Sequence, residues 1–234
     1  MAAIEKDHWW FVARRQILSS LIEKFIFTAN PKILEIGAGT GGNLEMLIQH
    51  GSVTAVEPNI IARNRIQKNF AKKITLIDGR LPDELNLENQ KFDVICLFDV
   101  LEHIEDDQAA LLNIKKHLAS NGKIILTVPA FQFLFSDHDK KLHHFRRYNK
   151  DNLTKLIKAC GLETKAISYF NFFLFPIAFL TRLLKKIFPS IKLEEKTPSP
   201  FLNKIFGKIF VSEKFFLKNG LTFPFGLSLF VILK

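Results

Sequence analysis

Cysteine is nearly absent from this chain of 234 residues, which contains only Cys96 and Cys160. Cys96 lies in an apolar run and Cys160 in a segment with helical periodicity. Because they are the two cysteines of the chain and lie far apart, they form neither a CxxC pair nor a regular spacing of metal ligands. This pattern argues against a disulfide framework and favours a reducing compartment. We expect two buried thiols.

Segments that direct export or span a membrane are also lacking. Near the N-terminus, Glu5, Asp7 and Arg14 interrupt any apolar stretch, so the pattern of a signal peptide is not present. The uncharged run Ala166–Thr181 has 16 residues, fewer than the roughly 20 that cross a bilayer, and it contains Pro176. The expected location is therefore cytoplasmic.

Acidic residues are scarce in the last third of the chain. The whole sequence has 33 Lys and Arg against 23 Asp and Glu, a net charge of +10. Residues 1–165 carry 23 basic and 20 acidic residues, whereas residues 166–234 carry 10 and 3. An anionic partner of this last third, a membrane surface or a nucleic acid, would be attracted by the excess charge.

Hydrophobic periodicity predicts one α/β domain, which suits the length and the apolar content of 47%. A helical stripe over residues 8–28 precedes short apolar runs that alternate with helix-period segments, as in a parallel βαβ sheet. The predicted strands are Lys32–Ile36, Ser52–Val56, Ile74–Ile77, Phe92–Phe98, Lys123–Val128, Thr164–Tyr169 and Phe225–Leu233. The predicted helices between them are Gly41–His50, Asn59–Ala71, Glu105–Ala119 and Asn149–Cys160.

The strongest chemical signal is the run LEIGAGTGGN at 34–43, which ends the first strand and opens the first of these helices. Its glycines allow a tight turn and bring backbone N–H groups close to a ligand in front of a helix N-terminus. Gly37, Gly39 and Gly42 satisfy GxGxxG, so a dinucleotide and S-adenosylmethionine must both be considered. Glu35 would fix the loop or face an ammonium group, and it would repel a pyrophosphate.

Further acids follow the next strands. Glu57, 20 residues after the first glycine, is placed to accept hydrogen bonds from both hydroxyls of a ribose, and Pro58 ends its strand. Asp78, next to Gly79, ends the third strand and can accept an adenine amine, while Asp99 follows the fourth. The carboxyl edge of the sheet is therefore expected to collect Glu35, Glu57, Asp78 and Asp99.

These motifs, with DVLEH at 99–103, resemble the class I S-adenosylmethionine-dependent methyltransferases, in particular the small bacterial enzymes of methyltransferase type 11/12. Their first motif reads LEIGxGTG and their fourth-strand motif FDxxxxxDVLEH. The resemblance covers roughly residues 1–170 and returns at the last strand. It implies an α/β, Rossmann-like, doubly wound and mostly parallel seven-stranded sheet of order 3-2-1-4-5-7-6 with an antiparallel last strand.

The resemblance also implies a division of the chain and a set of cofactor contacts. The single domain would comprise an N-terminal helical lid (1–30), a core (31–169) and the last strand (223–234). An apolar and basic helical insertion (170–222) before the last strand departs from the minimal family pattern. Gly37, Gly39 and Gly41 would hold the methionine part of the cofactor, Glu57 the ribose, and Asp78 and Gly79 the adenine, with Phe98 and Asp99 closing the site.

Relatives with an HWWFxxRR segment use that helix as a lid. An arginine there can pair with the cofactor carboxylate and an aromatic ring can face the sulfonium. Of the two arginines we select Arg15, and packing of the aromatic residues against the sheet is an equally good explanation of their presence. The lid candidates are His8, Trp9, Trp10, Arg14 and Arg15.

A polar segment at 137–148 follows the fifth strand, beside the place where a methyl acceptor would lie. His143 or His144 would act as general base toward a hydroxyl acceptor, together with Asp99. Capping of the next helix is the alternative role of Asp99. A metal cluster of Asp137, His138, His143 and His144 has no regular ligand spacing, so no metal is expected.

The sequence therefore predicts in-line transfer of a methyl group from S-adenosylmethionine, with S-adenosylhomocysteine as product, to an acceptor oxygen. The Phe-rich, basic insertion favours a small or lipid-linked acceptor and peripheral contact with the inner face of an anionic membrane. An RNA methyltransferase is the first alternative, although DVLE stands where amino-methylating nucleic-acid enzymes have an Asn/Asp-Pro-Pro-aromatic motif, so nucleic acid is disfavoured. An NAD-dependent oxidoreductase on a similar fold is the second.

Overall fold

The computed structural model describes residues 5–187 and 198–234. Residues 188–197, which belong to the predicted insertion, lie outside the described residues. The helices are α1 (Trp9–Phe25), α2 (Leu44–Ile48), α3 (Ile60–Phe70), α4 (Asp107–Lys115), α5 (Asp137–Lys141), α6 (Lys150–Ala159), α7 (Phe175–Ile187) and α8 (Pro200–Lys218). The strands are β1 (Lys32–Ile36), β2 (Ser52–Val56), β3 (Ile74–Ile77), β4 (Gly79–Arg80), β5 (Glu84–Leu85), β6 (Phe92–Phe98), β7 (Leu118–Pro129), β8 (Thr164–Phe170) and β9 (Ser228–Leu233).

Seven of these strands form one sheet in the order β3-β2-β1-β6-β7-β9-β8. β9 runs antiparallel to both β7 and β8, and the remaining pairs are parallel. Because β4 and β5 pair only with each other, this is the predicted order 3-2-1-4-5-7-6, and the prediction is confirmed. The carboxyl ends of β1, β2, β6, β7 and β8 therefore meet at one edge of the sheet.

The predicted bounds are accurate to one residue at each end for α3 and α6, whereas β7 begins at Leu118 and not at Lys123, and β9 begins at Ser228 and not at Phe225. Four strands, β1, β2, β3 and β6, have the predicted limits. The prediction of a helix from Gly41 was wrong at its start, because the backbone at Gly41 has φ +87° and α2 begins only at Leu44. The prediction of a helix up to Ala119 was wrong at its end, because Leu118 already pairs with Phe92 at the start of β7.

The N-terminal helix lies against the insertion. α1 packs along α8, and the Trp9 N–H donates to Asn203 Oδ1 over 2.9 Å. Near the other end of the pair, Lys24 Nζ donates to the Leu217 carbonyl over 3.2 Å. Two helices from opposite ends of the sequence thus form one layer over the sheet, which a local pattern in the sequence does not reveal.

The core contains the apolar residues of the central strands, and strand β9 is buried along its whole length. Cys96 and Cys160 are free, buried thiols, as the sequence predicts. Within the described ranges, none of the helices is both long enough and apolar enough to cross a bilayer.

Candidate active site

The glycine loop between β1 and α2 leaves open space beside its backbone. Gly37, Gly39 and Gly41 have φ of +70°, +56° and +87°, a region that favours glycine. A Cβ at Gly37 would lie 2.7 Å from a methyl group of Val100, so this glycine is needed for the close approach of two strand ends. A Cβ at Gly39 would meet no atom within 4 Å, so the loop is open to a ligand there.

Glu57 is buried at the end of β2 and links the loop to the next helix. Its Oε2 accepts a hydrogen bond from the Gly39 N–H over 2.7 Å, and its Oε1 accepts one from the Asn59 N–H over 2.9 Å. Asn59 in turn caps α3 by accepting from the N–H groups of Ile61 and Ala62. The carboxylate that the sequence assigns to a ribose therefore lies against the loop, with a second lone pair free on each oxygen.

Glu35 lies in β1 and is fully buried behind the same loop. Its Oε1 accepts from Asn43 Nδ2 over 2.9 Å, while its Oε2 has no hydrogen-bond partner. Burial raises the pKa of Glu35 to about 7, against the hydrogen bond from Asn43. An unpartnered acceptor at this position is complementary to a donor such as an ammonium group.

Asp78 and Gly79 have partners within the protein. Asp78 Oδ1 forms an ion pair with Arg63 over 2.6 Å, and two thirds of the Asp78 side chain is exposed. The same guanidinium donates to the Pro58 carbonyl over 2.7 Å and so ties the ends of β2 and β3 together. Gly79 begins the β4–β5 hairpin, where a Cβ would lie 2.5 Å from the Glu84 carbonyl oxygen. The hairpin thus explains this glycine independently of any ligand.

Asp99 follows β6 and is bound to the N-terminal helix. Its Oδ2 lies 2.8 Å from Arg14 Nη2, and its Oδ1 accepts from the Thr127 hydroxyl over 3.0 Å. Arg14 also donates to that hydroxyl over 2.7 Å, and its guanidinium lies 5.0 Å from the ring centre of Trp10 and 5.6 Å from that of Phe98. The Nε of Arg14 is buried without a partner, so this cation has a donor left for a ligand.

The proposed capping role of Asp99 is wrong. The cap of α4 is Asp106, whose Oδ1 accepts from the Ala109 N–H over 2.8 Å. Asp99 instead adopts φ +57° at the strand end and directs its carboxylate to Arg14 and Thr127.

The other lid candidates separate in the structure. Arg15 donates to the carbonyls of Glu5 and Lys6 over 2.9 and 3.4 Å, and Glu5 accepts from the hydroxyl of Thr40 in the glycine loop. Arg15 thus reaches the outer side of the loop, whereas Arg14, the neighbour that we did not select, reaches Asp99. His8 caps α1, and Trp9 packs on Phe206 and Phe210 of α8, while Trp9 and Trp10 both lie against the hydrophobic core. The contact that we predict for Arg15 stays a prediction.

Asp139 is the buried centre of the polar segment after β7. Its Oδ1 accepts from His144 Nδ1 over 3.0 Å and from Arg147 Nε over 2.7 Å, and its Oδ2 accepts from the backbone and hydroxyl of Ser136. Although burial alone raises the pKa of Asp139, the hydrogen bonds from His144 and Arg147 hold it well below its usual range. Because Nδ1 of His144 is the donor in this pair, Nε2 is left as an acceptor.

Sequence reasoning missed Asp139, although a signal was present. Ser136 and Asp139 have the S-x-x-D spacing of a capping box, and they form that box at the start of α5. The pattern marks the residues as locally paired, but their pairing with Arg147 depends on the tertiary fold.

Glu102, His103 and His144 form a second cluster at the end of β6. Each offers one ligand atom, and these atoms lie within 4.8 Å of one another, while the rings of His103 and His144 are 4.5 Å apart. Both carboxylate oxygens of Glu102 are buried without a partner, and burial together with Asp99 raises its pKa well above the usual value. Such a cluster can bind a divalent cation or hold a proton.

His143, the other predicted base, is placed differently. Its side chain is exposed and its backbone has φ +59°. The structure therefore brings His144 and Asp99 to the same edge of the sheet and leaves His143 at the surface. The metal cluster of Asp137, His138, His143 and His144, which the sequence disfavours, differs from the group of possible ligands that the described residues bring together.

Comparison with known proteins gives matches along most of the chain. A family model described as a methyltransferase domain matches residues 11–167. The ubiquinone biosynthesis O-methyltransferase of Rickettsia canadensis is 24% identical over 171 residues, which cover 64% of this chain and 72% of that protein. The histidine protein methyltransferase 1 homolog of Dictyostelium discoideum is 31% identical over 129 residues, which cover 50% of this chain and 41% of that protein.

Solved structures show the same architecture. A SAM dependent methyltransferase from Archaeoglobus fulgidus aligns with a TM-score of 0.60 over 100% of this chain and 98% of that chain, at 14% identity. At this identity the likeness shows the fold alone.

Proposed function

Because the chain belongs to the methyltransferase domain family and is an S-adenosylmethionine-dependent enzyme of class I, we propose that it methylates an oxygen atom of a small or lipid-like acceptor. The observation that carries this proposal is the buried Asp139–His144 pair at the carboxyl edge of the sheet. Transfer to a hydroxyl oxygen requires removal of its proton, and an imidazole oriented by a carboxylate is suited to that step. The nicotinamide alternative is excluded by the family.

The residues around the glycine loop fit the cofactor. The open space beside Gly39 and the unpartnered oxygen of Glu35 would take its amino-acid part. Glu57, which precedes Pro58 at the end of β2, would accept hydrogen bonds from the ribose hydroxyls. When bound, S-adenosylmethionine supplies a methyl group on a sulfonium. The remaining predicted contacts, Gly37, Gly41, Asp78, Gly79 and Phe98, keep their assignments as proposals.

We assign the cofactor carboxylate to Arg14 in preference to Arg15. Arg14 is buried at the strand ends and has an unpartnered Nε, whereas both Nη atoms of Arg15 already donate to backbone carbonyls. The unpartnered Nε leaves Arg14 one N–H that can donate a charge-assisted hydrogen bond to that carboxylate, since Nη2 already donates to Asp99 and Thr127.

His144 would remove the acceptor proton at Nε2, and Asp139 would hold the ring and stabilise its charged form. The O–H bond of the acceptor would break and its proton would pass to His144, while the methyl group would leave the cofactor sulfur for the acceptor oxygen, with S-adenosylhomocysteine as the product. Asp99, fixed by Arg14 and Thr127, would orient the acceptor beside the cofactor. Catalysis then depends mainly on alignment and on exclusion of water.

The acceptor class is supported by two further points. The O-methyltransferase of Rickettsia canadensis is named for ubiquinone biosynthesis, which suggests a lipid-like phenol. The insertion after β8 is rich in phenylalanine, and its Phe175 contacts Phe131, which follows the carboxyl end of β7. We also propose that the acceptor is met at an anionic membrane surface.

The test combines cofactor binding with product analysis. Calorimetric titration with S-adenosylhomocysteine should show binding to the wild type and no binding to Gly39→Arg. The affinity of Arg14→Gln should be about tenfold or more weaker, which corresponds to the loss of one hydrogen bond to a charged group. Arg15→Gln is the matched control and should bind as the wild type does.

Phenolic acceptors with and without an isoprenoid tail are then incubated with labelled cofactor, and the methylated atom is found by mass spectrometry. An O-methyl product, formed faster from the tailed acceptor, is expected. Methylation of nitrogen, or of RNA or a protein histidine in place of the phenols, would contradict the proposal.

A further inference from the structure

The insertion helix α7 exposes a continuous apolar stripe. Ile177, Leu180 and Leu184 are exposed to 53%, 55% and 37%, and their spacing of three and four residues places them on one side of the helix. Phe179 on the same helix lies 6.2 Å from the ring of Phe133, which is 65% exposed in the turn after β7. We call these five residues the α7 face: Phe133, Ile177, Phe179, Leu180 and Leu184.

The described part of the chain from residue 166 onward carries almost no exposed negative charge, although the exposed Asp137 lies four residues after Phe133. In the described residues from 166 onward, Glu213 is the single acidic side chain, and it is buried against the backbone of residues 171–173. The sequence of α7 itself contains Arg182, Lys185 and Lys186 in its last two turns. A helix that combines an apolar stripe with basic positions and no exposed acid is complementary to an anionic lipid surface.

Aromatic rings connect the α7 face with the active site. Phe179 stacks on Phe175 at 5.9 Å, Phe175 contacts Phe131 at 6.0 Å, and Phe131 stacks on Tyr169 at 4.8 Å. Phe131 follows Ala130, whose carbonyl accepts from Arg147 of the Asp139 network. The row of rings therefore begins at the exposed stripe and passes Phe131, whose neighbour Ala130 is bound to Arg147 of the network assigned to proton removal.

We propose that the α7 face is a membrane-docking surface, which lies in the headgroup region of an anionic leaflet and opens the row of rings toward the bilayer. The proposal rests on the proposed function in that an apolar acceptor would then move from the leaflet to the site without crossing water. Peripheral binding of this kind needs no membrane-spanning helix, and none is found among the described residues.

The experiment measures binding of the full-length protein to vesicles by sedimentation, without cofactor or acceptor. Vesicles of phosphatidylcholine with roughly 30% of the anionic lipid phosphatidylglycerol are compared with vesicles of phosphatidylcholine alone. The variants are Leu180→Glu on the α7 face and Leu112→Glu on α4, where Leu112 is 41% exposed. The two changes are the same in chemistry and similar in exposure.

The wild type and Leu112→Glu should bind the anionic vesicles alike and release them at high salt, whereas Leu180→Glu should bind at least about tenfold more weakly. Phe133→Glu should weaken binding in the same direction, which tests whether the surface extends beyond α7. Equal effects of Leu180→Glu and Leu112→Glu, or equal binding to neutral and anionic vesicles, would overturn the proposal.

This assay separates the two proposals. Vesicle binding with no methylation of any oxygen acceptor would refute the proposed function and leave the docking surface standing. Methylation of an oxygen acceptor without vesicle binding would refute the docking surface and leave the proposed O-methylation standing.

Discussion

Single buried polar groups without partners mark the carboxyl edge of the sheet. In the described chain, the buried side-chain atoms that lack a hydrogen bond belong to Arg14, Glu35, Glu102 and Asn171. Glu35 lies in β1 near its end, Glu102 and Asn171 follow β6 and β8, and Arg14 lies over β6 and β7. Folded proteins pair nearly all such groups, so their concentration at one edge indicates a surface that is completed by ligands.

Glu35 should make the stability of the cofactor-free protein depend on pH. Its folded pKa of about 7 is above the ordinary 4.5, so its contribution to stability is complete below about pH 4.5 and is lost as the pH rises through 7. Glu35→Gln keeps the acceptor for Asn43 and removes this loss. The variant should therefore gain roughly 2–3 kcal/mol over the wild type between pH 5 and pH 8.

Urea unfolding at a series of pH values measures this difference. Glu84→Gln, at an exposed carboxylate, is the control and should follow the wild-type curve. If the free energy of unfolding depends on pH in the same way for Glu35→Gln and the wild type, Glu35 is paired or ionised in the folded state.

His144 and His143 should differ in catalysis although they are adjacent in sequence. His144→Gln should lower kcat by about 10²–10⁴-fold, the range of a lost general base, with little change in cofactor affinity. His143→Gln should retain near wild-type kcat, because its side chain is exposed. Steady-state kinetics on the best acceptor measure both, and a reversed order would assign the base to His143.

At the level of elements, Glu213 connects the insertion to the sheet. This residue of α8 accepts from three successive backbone N–H groups: from Asn171 through Oε2, and from Phe172 and Phe173 through Oε1. The contact fixes the turn between β8 and α7, where Asn171 has φ +57°. α8 therefore sets the position from which α7 starts.

Glu213→Gln should lower the free energy of unfolding by about 1–3 kcal/mol, since the amide nitrogen would face the Asn171 N–H in place of an acceptor. Lys214→Gln on the same helix is the control. Hydrogen exchange of the three amides should quicken in Glu213→Gln and remain unchanged in Lys214→Gln. Unchanged protection would mean that the turn is held by the phenylalanine packing alone.

Elements differ in how well the sequence predicts them, for physical reasons. Central parallel strands are buried on both faces, so their apolar runs begin and end with the strand, as in β1 and β6. The short helix α2 begins later than predicted because the residues before Leu44 belong to the glycine loop. Strand β7 begins at Leu118, in a segment predicted as helix, because Leu118 pairs with Phe92 of β6. The two-residue strands β4 and β5 are too short for a periodic signal.

For the molecule as a whole, cofactor binding should raise thermal stability. A ligand at 100 times its Kd that binds only the folded state stabilises it by about 2.7 kcal/mol. For a domain of this size that corresponds to a Tm increase of roughly 5–10 °C. Scanning calorimetry with S-adenosylhomocysteine should show this shift in the wild type and none in Gly39→Arg. A comparable shift with NAD would contradict the cofactor assignment.

The sequence by itself determined the central strands, the glycine loop and the acids at the strand ends, because these depend on local patterns: buried runs, tight turns and residues that follow a strand. The order of the strands in the sheet was expected only from the resemblance to a family. The choice between Arg14 and Arg15 depended on which side of α1 meets β6, and the assembly of Asp139 with His144 and Arg147 on how a loop folds back. The α1–α8 layer and the α7 face join segments far apart in the chain. Only the tertiary structure decided these contacts, since side chains distant in sequence are brought together by packing and leave no mark at fixed spacing.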